Sequence, residues 1–404
     1  MQLRFTRRLL ATATVPLLVL AACGGDDDDD AGGDTTAAAP DVTDAPADTA
    51  AGGTAATGDT EADGTTAAPA STESGSSGSE AAGSGEPVTL RLGYFPNVTH
   101  APAIIGVEEG LFEAAVGDDV TIELTTFNSG TEAIEALFAD AIDISFIGPN
   151  PAINGYSQSD GEALRIVAGT TSGGASLVVR EGIDTPEDLA GTTLATPSLG
   201  NTQDVALRAW LAEQGYQTDT AGGGDVRITP QDNPDTLAAL QSGDLDGAWV
   251  PEPWATRLVL EGGGHVLLDE SELWPDGQFV TTHLISATGF LEDHPDVVRD
   301  LITGLGEAID AANDDAATAQ GLVNDGIERV TTSRLGDETI AGAWENLEFT
   351  LDPIAASLQG SADDAIAVEL LDEVDLADPG IYALDLLNEV RAERGEDPVE
   401  GLGG

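Results

Sequence analysis

The chain has 404 residues, of which 73 are acidic and 14 are basic, so its formal net charge at pH 7 is −59. All the basic residues are Arg, and the sequence contains no Lys. Such a surface repels nucleic acid and anionic membranes, which argues against both as binding partners.

The N-terminal residues have the pattern of a secretion signal that ends in a modified cysteine. Arg-containing Met1–Arg8 precedes the apolar run Leu9–Leu20, which is too short to span a bilayer comfortably. The stretch Leu20–Cys23 follows, and Cys23 is the only cysteine, which excludes an intrachain disulfide. This resembles bacterial lipoproteins and predicts a signal peptide at 1–22 with a lipid on Cys23. A cleaved signal with an incidental cysteine is the alternative.

Residues 23–87 are predicted to be a disordered acidic linker. They contain the run Asp26–Asp30 and are otherwise rich in Ala, Gly, Thr, Ser and Pro. Such a composition cannot bury enough apolar surface to offset the entropy lost on ordering. A folded body is expected over 88–404, and its length exceeds one comfortable core and favours two lobes.

Strands and helices alternate in the first part of this body, which predicts a parallel sheet covered by helices. The elements are strand Val88–Tyr94, helix Ala101–Glu109, strand Val120–Phe127, helix Thr131–Phe138, strand Ile142–Ile147, helix Asn150–Ser157 and strand Leu164–Thr170. The glycine pair Gly173-Gly174 then suits a crossover into a second lobe.

The second lobe repeats this scheme before the chain turns helical. Its elements are strand Ala175–Arg180, strand Thr193–Thr196, helix Gln203–Gln214, strand Val226–Thr229, helix Asn233–Ser242, strand Gly247–Val250, helix Trp254–Glu261 and strand Phe279–Ala287, which could cross back. Further helices are predicted at 295–312, 315–325, 337–347, 361–373 and 383–394. We expect the last helices to pack on the first lobe or on both.

Four apolar strands run into short polar loops that each open a helix. The loops are Phe127–Thr131, Ile147–Pro151, Thr196–Gln203 and Trp249–Trp254. A helix start carries free backbone N–H groups and the positive end of the helix dipole. Several such starts at the carboxyl ends of parallel strands can converge on one small anion, without any lysine.

The sequence offers no recognisable catalytic or metal-binding motif. It has no nucleophile-elbow pattern, no phosphate loop ending in Gly-Lys, and no metal-ligand spacing among its four histidines. A Ser-His-Asp arrangement stays open from composition alone. These absences favour a binding protein over an enzyme.

Several motifs together resemble the substrate-binding proteins of ABC importers for aliphatic sulfonates, taurine and nitrate. The resemblance covers about 88–390 and is carried by Leu92–Pro102, Phe127–Gly130, Ala141–Gly155, Leu199–Ala206, Asp246–Trp254 and Gly277–His283. Members of this broad group also bind bicarbonate and thiamine-related pyrimidines, so the motifs name the family better than the ligand. The related pyrimidine-making enzymes use a cysteine-rich segment that this chain lacks.

The resemblance implies a two-lobed α/β fold of the periplasmic-binding-protein type (type II). Two crossovers would join the lobes, and C-terminal helices would complete the fold. Lobe 1 is expected at about 88–174 and 285–404, and lobe 2 at about 175–284. The lobes would close on a ligand in the cleft between them. No metal or cofactor is implied.

The residues expected to bind the ligand follow from the loops and the resemblance together. His100 could donate to an anionic group, Glu252 could accept from an amine or hydroxyl on the ligand tail, and Trp254 could form an apolar wall. Capping, hinge and core-packing roles are the alternatives for several of them. The set is Asn97, Thr99, His100, Ser129, Gly130, Asn150, Ser172, Gly173, Gly200, Asn201, Thr202, Gln203, Glu252, Trp254 and Thr282.

These expectations describe a monomeric extracytoplasmic lipoprotein that captures a small organic anion for an ABC permease and ATPase. An aliphatic sulfonate is the first choice of ligand, and nitrate, a phosphonate or a pyrimidine is the alternative. An enzyme on the same scaffold, with His100 as its base, and a sensor without a transporter stay open.

Overall fold

The computed structural model describes residues 87–378 and 380–403. The predicted signal peptide, the lipidation site Cys23 and the linker as far as residue 86 lie outside these residues. Among the helices of the described part, none combines the length and apolar character needed to cross a membrane.

The strands form two separate sheets. Their bounds are β1 Val88–Tyr94, β2 Val120–Thr126, β3 Ile144–Ile147, β4 Leu164–Gly173, β5 Ala175–Val179, β6 Thr193–Thr196, β7 Arg227–Pro230, β8 Gly247–Pro251, β9 His265–Asp269, β10 Val280–Ala287 and β11 Leu347–Phe349. The first sheet has the order β11-β4-β10-β3-β1-β2, and the second has the order β7-β6-β8-β5-β9. We call each sheet with its covering helices the first and the second lobe.

The helices lie between and after these strands. Their bounds are α1 Ala101–Glu108, α2 Leu111–Val116, α3 Gly130–Phe138, α4 Pro149–Gln158, α5 Thr202–Glu213, α6 Asn233–Ser242, α7 Trp254–Leu260, α8 Thr288–Asp293, α9 Pro295–Asp314, α10 Ala316–Thr331, α11 Asp337–Glu345, α12 Ala355–Ala367 and α13 Asp385–Arg394. A short 3-10 turn, Val98–His100, precedes α1.

The expectation of parallel sheets is wrong in part, because both sheets are mixed. β1 pairs in parallel with β2 and β3, and β6 pairs in parallel with β7 and β8. β10 runs antiparallel to β3 and β4, and β5 runs antiparallel to β8 and β9. The antiparallel strands β5 and β10 each begin where the chain arrives from the other sheet. They therefore need no helical crossover of the βαβ kind.

The first crossover is a two-glycine turn between β4 and β5. Gly173 and Gly174 have φ values of 78° and 73°, a region that residues with a side chain rarely adopt. A Cβ on Gly174 would also lie 2.2 Å from a side-chain atom of Leu347. The second crossover is the segment between β9 and β10.

The long helix α9 shows how the sequence sets the core of the first lobe. Its buried residues Val298, Leu301, Leu305 and Ile309 recur at helical spacing and contribute to one apolar cluster with the inward face of β1. Burial of each such side chain contributes about 1.5–3 kcal/mol. The second lobe has its own clusters, one of which is built around Trp249.

The last helices contact both lobes, which is one of the two arrangements that the sequence predicted. α11 contacts α7 of the second lobe, and α12 contacts both α4 and α5.

The helix predicted at 361–373 is misplaced, because α12 begins at Ala355 and ends at Ala367. Ile354, which precedes this helix, has a φ of 48°, and no sequence signal predicts that conformation. The elements α2, α8, β9 and β11 were not predicted.

Candidate functional site

All four polar loops reach one small space between the lobes, which we call the chamber. Its volume is about 50 Å³, the space of a few water molecules. The chamber is lined by Phe95, Asn97, Thr99, His100, Gly130, Gly148, Pro151, Asn201, Thr202, Gln203, Pro251, Thr281 and Thr282. Helices α3, α4 and α5 begin at or beside residues of this lining. The first backbone N–H groups of α3 and α5 have no partner within their own helices. In the first turn of α4 only Asn150 offers such a group, because Pro149 and Pro151 carry no N–H.

His100 supplies a neutral donor to the chamber. Its ring is buried and stacks on Phe95 at 4.5 Å between centroids. Burial lowers the pKa of His100 to about 3, so the imidazole carries no charge at neutral pH. Nδ1 accepts a hydrogen bond from the backbone N–H of Phe95 at 3.4 Å. The proton is therefore assigned to Nε2, which suits donation to an anion. A base this weak is poorly suited to proton abstraction at neutral pH.

Two strands of the first sheet hold the turn that carries His100. The hydroxyls of Thr171 and Thr282 both donate to the carbonyl oxygen of Thr99, at 2.8 and 3.1 Å. All three residues are buried. The turn Val98–His100 is thereby fixed to the sheet, which gives the imidazole a defined position.

The start of α5 brings the second lobe into the chamber. Asn201 caps the helix, because its Oδ1 accepts from the backbone N–H of Asp204 at 3.0 Å. Its Nδ2 donates to Oε1 of Gln203 at 3.0 Å and so orients that amide. Thr202 lies close to the first lobe, since a Cβ built on Gly148 would be 2.7 Å from its Oγ1.

A second space, which we call the vestibule, adjoins the chamber. Its volume is about 170 Å³, and it is lined by Pro96, Asn97, Phe127, Asn128, Asp232, Asn233, Pro234, Trp254 and Thr331. Asn97 lines both spaces. Its Oδ1 accepts from Nε1 of Trp254 at 3.2 Å, which joins the two lobes across the cleft.

The electrostatics of the chamber depend on uncharged groups. Of the Arg residues that the structure describes, none lines either the chamber or the vestibule. Arg208, on the helix that begins at the chamber, forms a buried ion pair with Asp204 at 2.9 Å. Within the same residues, no group of His, Cys, Asp and Glu is arranged to hold a metal ion.

The structure places nine of the fifteen residues predicted for the site in the chamber or the vestibule. The chamber contains Asn97, Thr99, His100, Gly130, Asn201, Thr202, Gln203 and Thr282, and the vestibule contains Trp254. The role of each in binding a ligand stays a prediction.

Other predicted residues lie outside both spaces and have structural partners. Oγ of Ser129 accepts from the N–H of Glu132 at 3.4 Å and caps α3. Nδ2 of Asn150 donates to the carbonyl oxygen of Ser361 at 3.0 Å. Oγ of Ser172 accepts from the N–H of Phe279 at 3.3 Å. These side chains support the site's framework.

Gly173 and Gly200 also lie outside both spaces, and their backbone groups form hydrogen bonds that shape the neighbouring loops. The carbonyl oxygen of Gly173 accepts from the hydroxyl of Thr281 at the crossover. The N–H of Gly200 donates to Oδ2 of Asp204 at 2.9 Å, and its φ is 73°. Gly200 therefore shapes the loop in front of α5 without lining the chamber.

Glu252 lies beside the crossover and lines neither the chamber nor the vestibule. Its Oε1 accepts from Nδ2 of Asn346 at 2.7 Å and from the hydroxyl of Thr256 at 2.9 Å. Its Oε2 accepts from the N–H of Thr256 at 3.1 Å. Burial raises the pKa of Glu252, while these donors act in the opposite direction. The carboxylate expected to contact the ligand tail is thus engaged elsewhere.

Sequence reasoning missed Phe95, Gly148, Pro151, Pro251 and Thr281 as lining residues. Gly148, Pro151 and Pro251 lie inside the polar loops, so the loops themselves carried the signal. Phe95 directly follows the first strand and provides the stacking surface for His100. Thr281 lies in the motif Gly277–His283 beside Thr282, so the motif carried a signal that did not separate the two residues.

The comparisons with known proteins concern the family and the fold. The model of the NMT1-like family matches residues 83–324. The taurine-binding periplasmic protein of Escherichia coli K12 is 30% identical over 199 residues, which are 49% of this chain and 59% of that protein. The bicarbonate transport ATP-binding protein CmpC of Synechocystis sp. PCC 6803 is 27% identical over 242 residues, which are 55% of this chain and 35% of that protein. The chain thus spans about three fifths and one third of these relatives.

A solved structure shares the two-lobed architecture. The alkanesulfonate-binding protein SsuA from Xanthomonas axonopodis pv. citri, bound to MOPS, matches with a TM-score of 0.61 and 21% identity. The match covers 73% of this chain and 98% of that one. The fold is therefore that of the periplasmic binding proteins, as the sequence predicted.

Proposed function

This chain belongs to the NMT1-like family, and we propose from that membership that it is the solute-binding component of an ABC importer. It carries a small organic anion of the aliphatic sulfonate class outside the cytoplasm, tethered to the membrane through Cys23. A permease and an ATPase receive the ligand from it. The names of the relatives support this role, since they include a taurine-binding periplasmic protein and a transport ATP-binding protein.

The observation that carries the proposal is the convergence of polar loops on a chamber without a cationic side chain. Three helices begin at the lining, and His100 faces it as a neutral ring. A sulfonate spreads one negative charge over three oxygens, so several neutral N–H and O–H donors can share it.

Both lobes contribute to the chamber, which links binding to closure. Thr99 and His100 belong to the first lobe, and Thr202 and Gln203 belong to the second. A ligand that contacts both sides stabilises the closed form by its differential affinity for that form. A tenfold preference corresponds to about 1.4 kcal/mol, which a few good hydrogen bonds supply.

A thermal-shift screen of the purified protein tests the proposal. The panel contains taurine, alkanesulfonates, nitrate, bicarbonate, phosphonates and pyrimidines. A ligand at one hundred times its dissociation constant should stabilise the protein by about 2.7 kcal/mol. Stabilisation by sulfonates supports the ligand class, whereas stabilisation only by nitrate, bicarbonate or a pyrimidine overturns it and leaves the transport role.

A matched pair of variants ties the binding to the chamber. Gln203→Leu removes an amide from the chamber lining, and Gln214→Leu makes the same change at the exposed end of α5. We expect only Gln203→Leu to weaken sulfonate binding measured by calorimetry. Equal affinities of the two variants would place the ligand elsewhere.

A further inference from the structure

A second cavity, which we call the crossover cavity, lies between α5, the second crossover and α12. Its volume is about 290 Å³, near the lower end of the range of small-molecule sites. None of its lining residues lines the chamber or the vestibule, so it is a separate space. Its lining includes two indole rings and three carboxyl groups, which are those of Trp210, Trp274, Glu213, Glu270 and Asp364.

The carboxyl groups of this cavity have no cationic neighbour. Of the Arg and His residues that the structure describes, none lines the cavity. The charged groups that act on Glu270 are Asp269 and Asp364, and those that act on Asp364 are Glu213 and Asp363. All of these neighbours are acidic, so a positive charge placed in the cavity would be stabilised.

Glu270 is the carboxyl group most in need of a partner. It is 1% exposed and lines the cavity. Its Oε2 accepts from Nε1 of Trp249 at 2.7 Å, whereas its Oε1 receives no hydrogen bond from the described residues. Burial raises the pKa of Glu270 to about 7, because its charged form is poorly solvated. A cation that carries an N–H group would supply both the missing donor and the missing charge.

The two indole rings form apolar walls that their neighbours hold in place. Trp274 stacks on Phe279 at 5.9 Å between ring centroids, and Trp210 meets the ring of Trp249 edge-on at 6.0 Å. A Cβ on Gly360 would lie 2.6 Å from the ring of Trp274, so this glycine lets the ring lie against α12. Indole rings cover apolar groups well and attract cations to their faces.

An organic cation fits this arrangement better than a metal ion does. In the part of the chain that the structure describes, no group of His, Cys, Asp and Glu is arranged to hold a metal ion. The carboxyl groups of the cavity therefore do not converge on one point. An organic ammonium ion needs only one carboxylate at its charged end, and its apolar body can pack against the indole walls.

We propose that the crossover cavity is a second ligand site, which binds a small organic ammonium ion with an apolar body. Glu270 accepts a hydrogen bond from the ammonium group, and Glu213 and Asp364 add negative charge around it. Trp210 and Trp274 cover the apolar body. The site is distinct from the chamber, and the inference does not depend on the proposed function.

The test compares two ligands of similar shape that differ in charge. Calorimetry on the full-length protein measures 2-phenylethylammonium and 2-phenylethanol at an ionic strength of about 0.15 M, which screens the surface charge. We expect the cation to bind at least about tenfold more tightly than the alcohol, the size of one charge-assisted hydrogen bond. Equal affinities, or no saturable binding of the cation, overturn the inference and leave the proposed function standing.

Two matched pairs of variants locate the cation. Glu270→Gln and Asp364→Asn remove charge from the cavity lining, whereas Glu272→Gln and Asp363→Asn remove charge from exposed neighbours outside it. We expect Glu270→Gln to weaken binding of 2-phenylethylammonium about tenfold and Asp364→Asn about threefold or more, with both controls within about twofold of the wild type. If each lining variant and its control lose affinity equally, the cation is attracted by the overall charge and the inference is wrong. The pair at Asp364 keeps the test valid if Glu270→Gln does not fold.

The pH dependence of binding gives an independent measurement. The pKa of Glu270 is about 7 and that of Asp364 is about 6, both raised chiefly by burial, so these groups must lose protons before they carry the charge that attracts the cation. The affinity for 2-phenylethylammonium should therefore rise about tenfold or more between pH 5 and pH 8, and Glu270→Gln should reduce this rise. An affinity of the wild type that stays constant over this range overturns the inference.

Discussion

Asp204 and Arg208, one turn apart on α5, form an ion pair with side-chain exposures of 0% and 2%. Oδ2 of Asp204 accepts from Nε of Arg208 and from the N–H of Gly200, both at 2.9 Å. Oδ1 accepts from the hydroxyl of Thr196 at 2.8 Å. The pair thereby ties the end of β6, the chamber loop and α5 into one unit. It also neutralises the guanidinium of Arg208, which lies on the helix that begins at the chamber.

Removal of Arg208 should strongly destabilise the protein. Arg208→Met leaves the Asp204 carboxylate buried without its cation, so we expect the free energy of unfolding to fall by about 3–5 kcal/mol. Urea denaturation measures the change. Arg257→Met is the control, because it breaks an i,i+4 pair that is 23% and 39% exposed and should cost about 1 kcal/mol or less. Similar losses in the two variants would contradict a structural role for the buried pair.

The neutral state of His100 predicts a ligand affinity that does not depend on pH between pH 5 and 8. Because the pKa of His100 is lowered to about 3, its Nε2–H donor persists throughout this range. His100→Leu should weaken sulfonate binding about tenfold or more, as measured by calorimetry, since the donor is lost. An affinity that rises steeply below pH 6.5 would show that the charged imidazole is the binding form.

The same pKa shift predicts how stability depends on pH. The folded pKa lies below the unfolded value of 6.5, so the unfolded state takes up the proton first as the pH falls. His100 therefore lowers stability progressively from pH 6.5 towards pH 3, by about 1.4 kcal/mol per pH unit. His100→Gln should lose less stability than the wild type between pH 6.5 and 4 in urea denaturation. His265→Gln, at a side chain that is 40% exposed, should behave like the wild type.

Gly148 should be required for closure of the lobes over the chamber. Its φ of −73° suits any residue, but a Cβ there would lie 2.7 Å from Oγ1 of Thr202 in the opposite lobe. Gly148→Ala should therefore weaken ligand binding about tenfold while leaving the thermal stability of the ligand-free protein nearly unchanged. A double-mutant cycle with Thr202→Ala tests the cause. If the contact is responsible, Gly148→Ala has little further effect on affinity in the Thr202→Ala background.

Glu270 should destabilise the protein at alkaline pH. It is buried, accepts from Nε1 of Trp249 at 2.7 Å, and has a pKa raised to about 7, chiefly by burial. Since this folded pKa exceeds the unfolded value of 4.5, stability from the group is lost as the pH rises from 4.5 through 7. Glu270→Gln keeps an oxygen for Trp249 and should add about 2 kcal/mol to the unfolding free energy at pH 8, and less at pH 5.

A neighbouring residue provides the control for this change. Glu272→Gln alters an exposed carboxylate on the 3-10 turn Glu270–Leu273, which also carries Glu270. It should leave the unfolding free energy within about 0.5 kcal/mol of the wild type at both pH values. Urea denaturation at pH 5 and pH 8 measures both variants. A Glu270→Gln protein that is less stable than the wild type at pH 8 would contradict the assignment.

Most elements of the two sheets were predictable because the signals are local. The alternating apolar residues of β1 and the capping residues Ser129 and Asn201 mark their elements within a few positions. The strands β9 and β11 were missed, because short edge strands are defined by the partner that they pair with. The start of α12 was missed because the preceding Ile354 has a φ of 48°, which a β-branched residue rarely adopts.

The candidate site likewise has features that the local sequence predicted and features that depend on tertiary packing. The sequence by itself determined the four polar loops and the helix starts behind them, because N–H groups at a helix start follow from local capping and strand ends. It also determined that any bound anion must rely on Arg, His or uncharged donors, since the chain has no Lys.

Only the tertiary structure decided which polar side chains face the chamber. The amide of Asn150 donates a hydrogen bond to the carbonyl oxygen of Ser361, 211 positions away along the chain. The carboxylate of Glu252 accepts one from the amide of Asn346, 94 positions away. Asp232 and Asn233 reach the cleft because α6 of the second lobe meets the first lobe there. A buried polar group must find its partner wherever packing places one, and that position in space is not written in the residues around it.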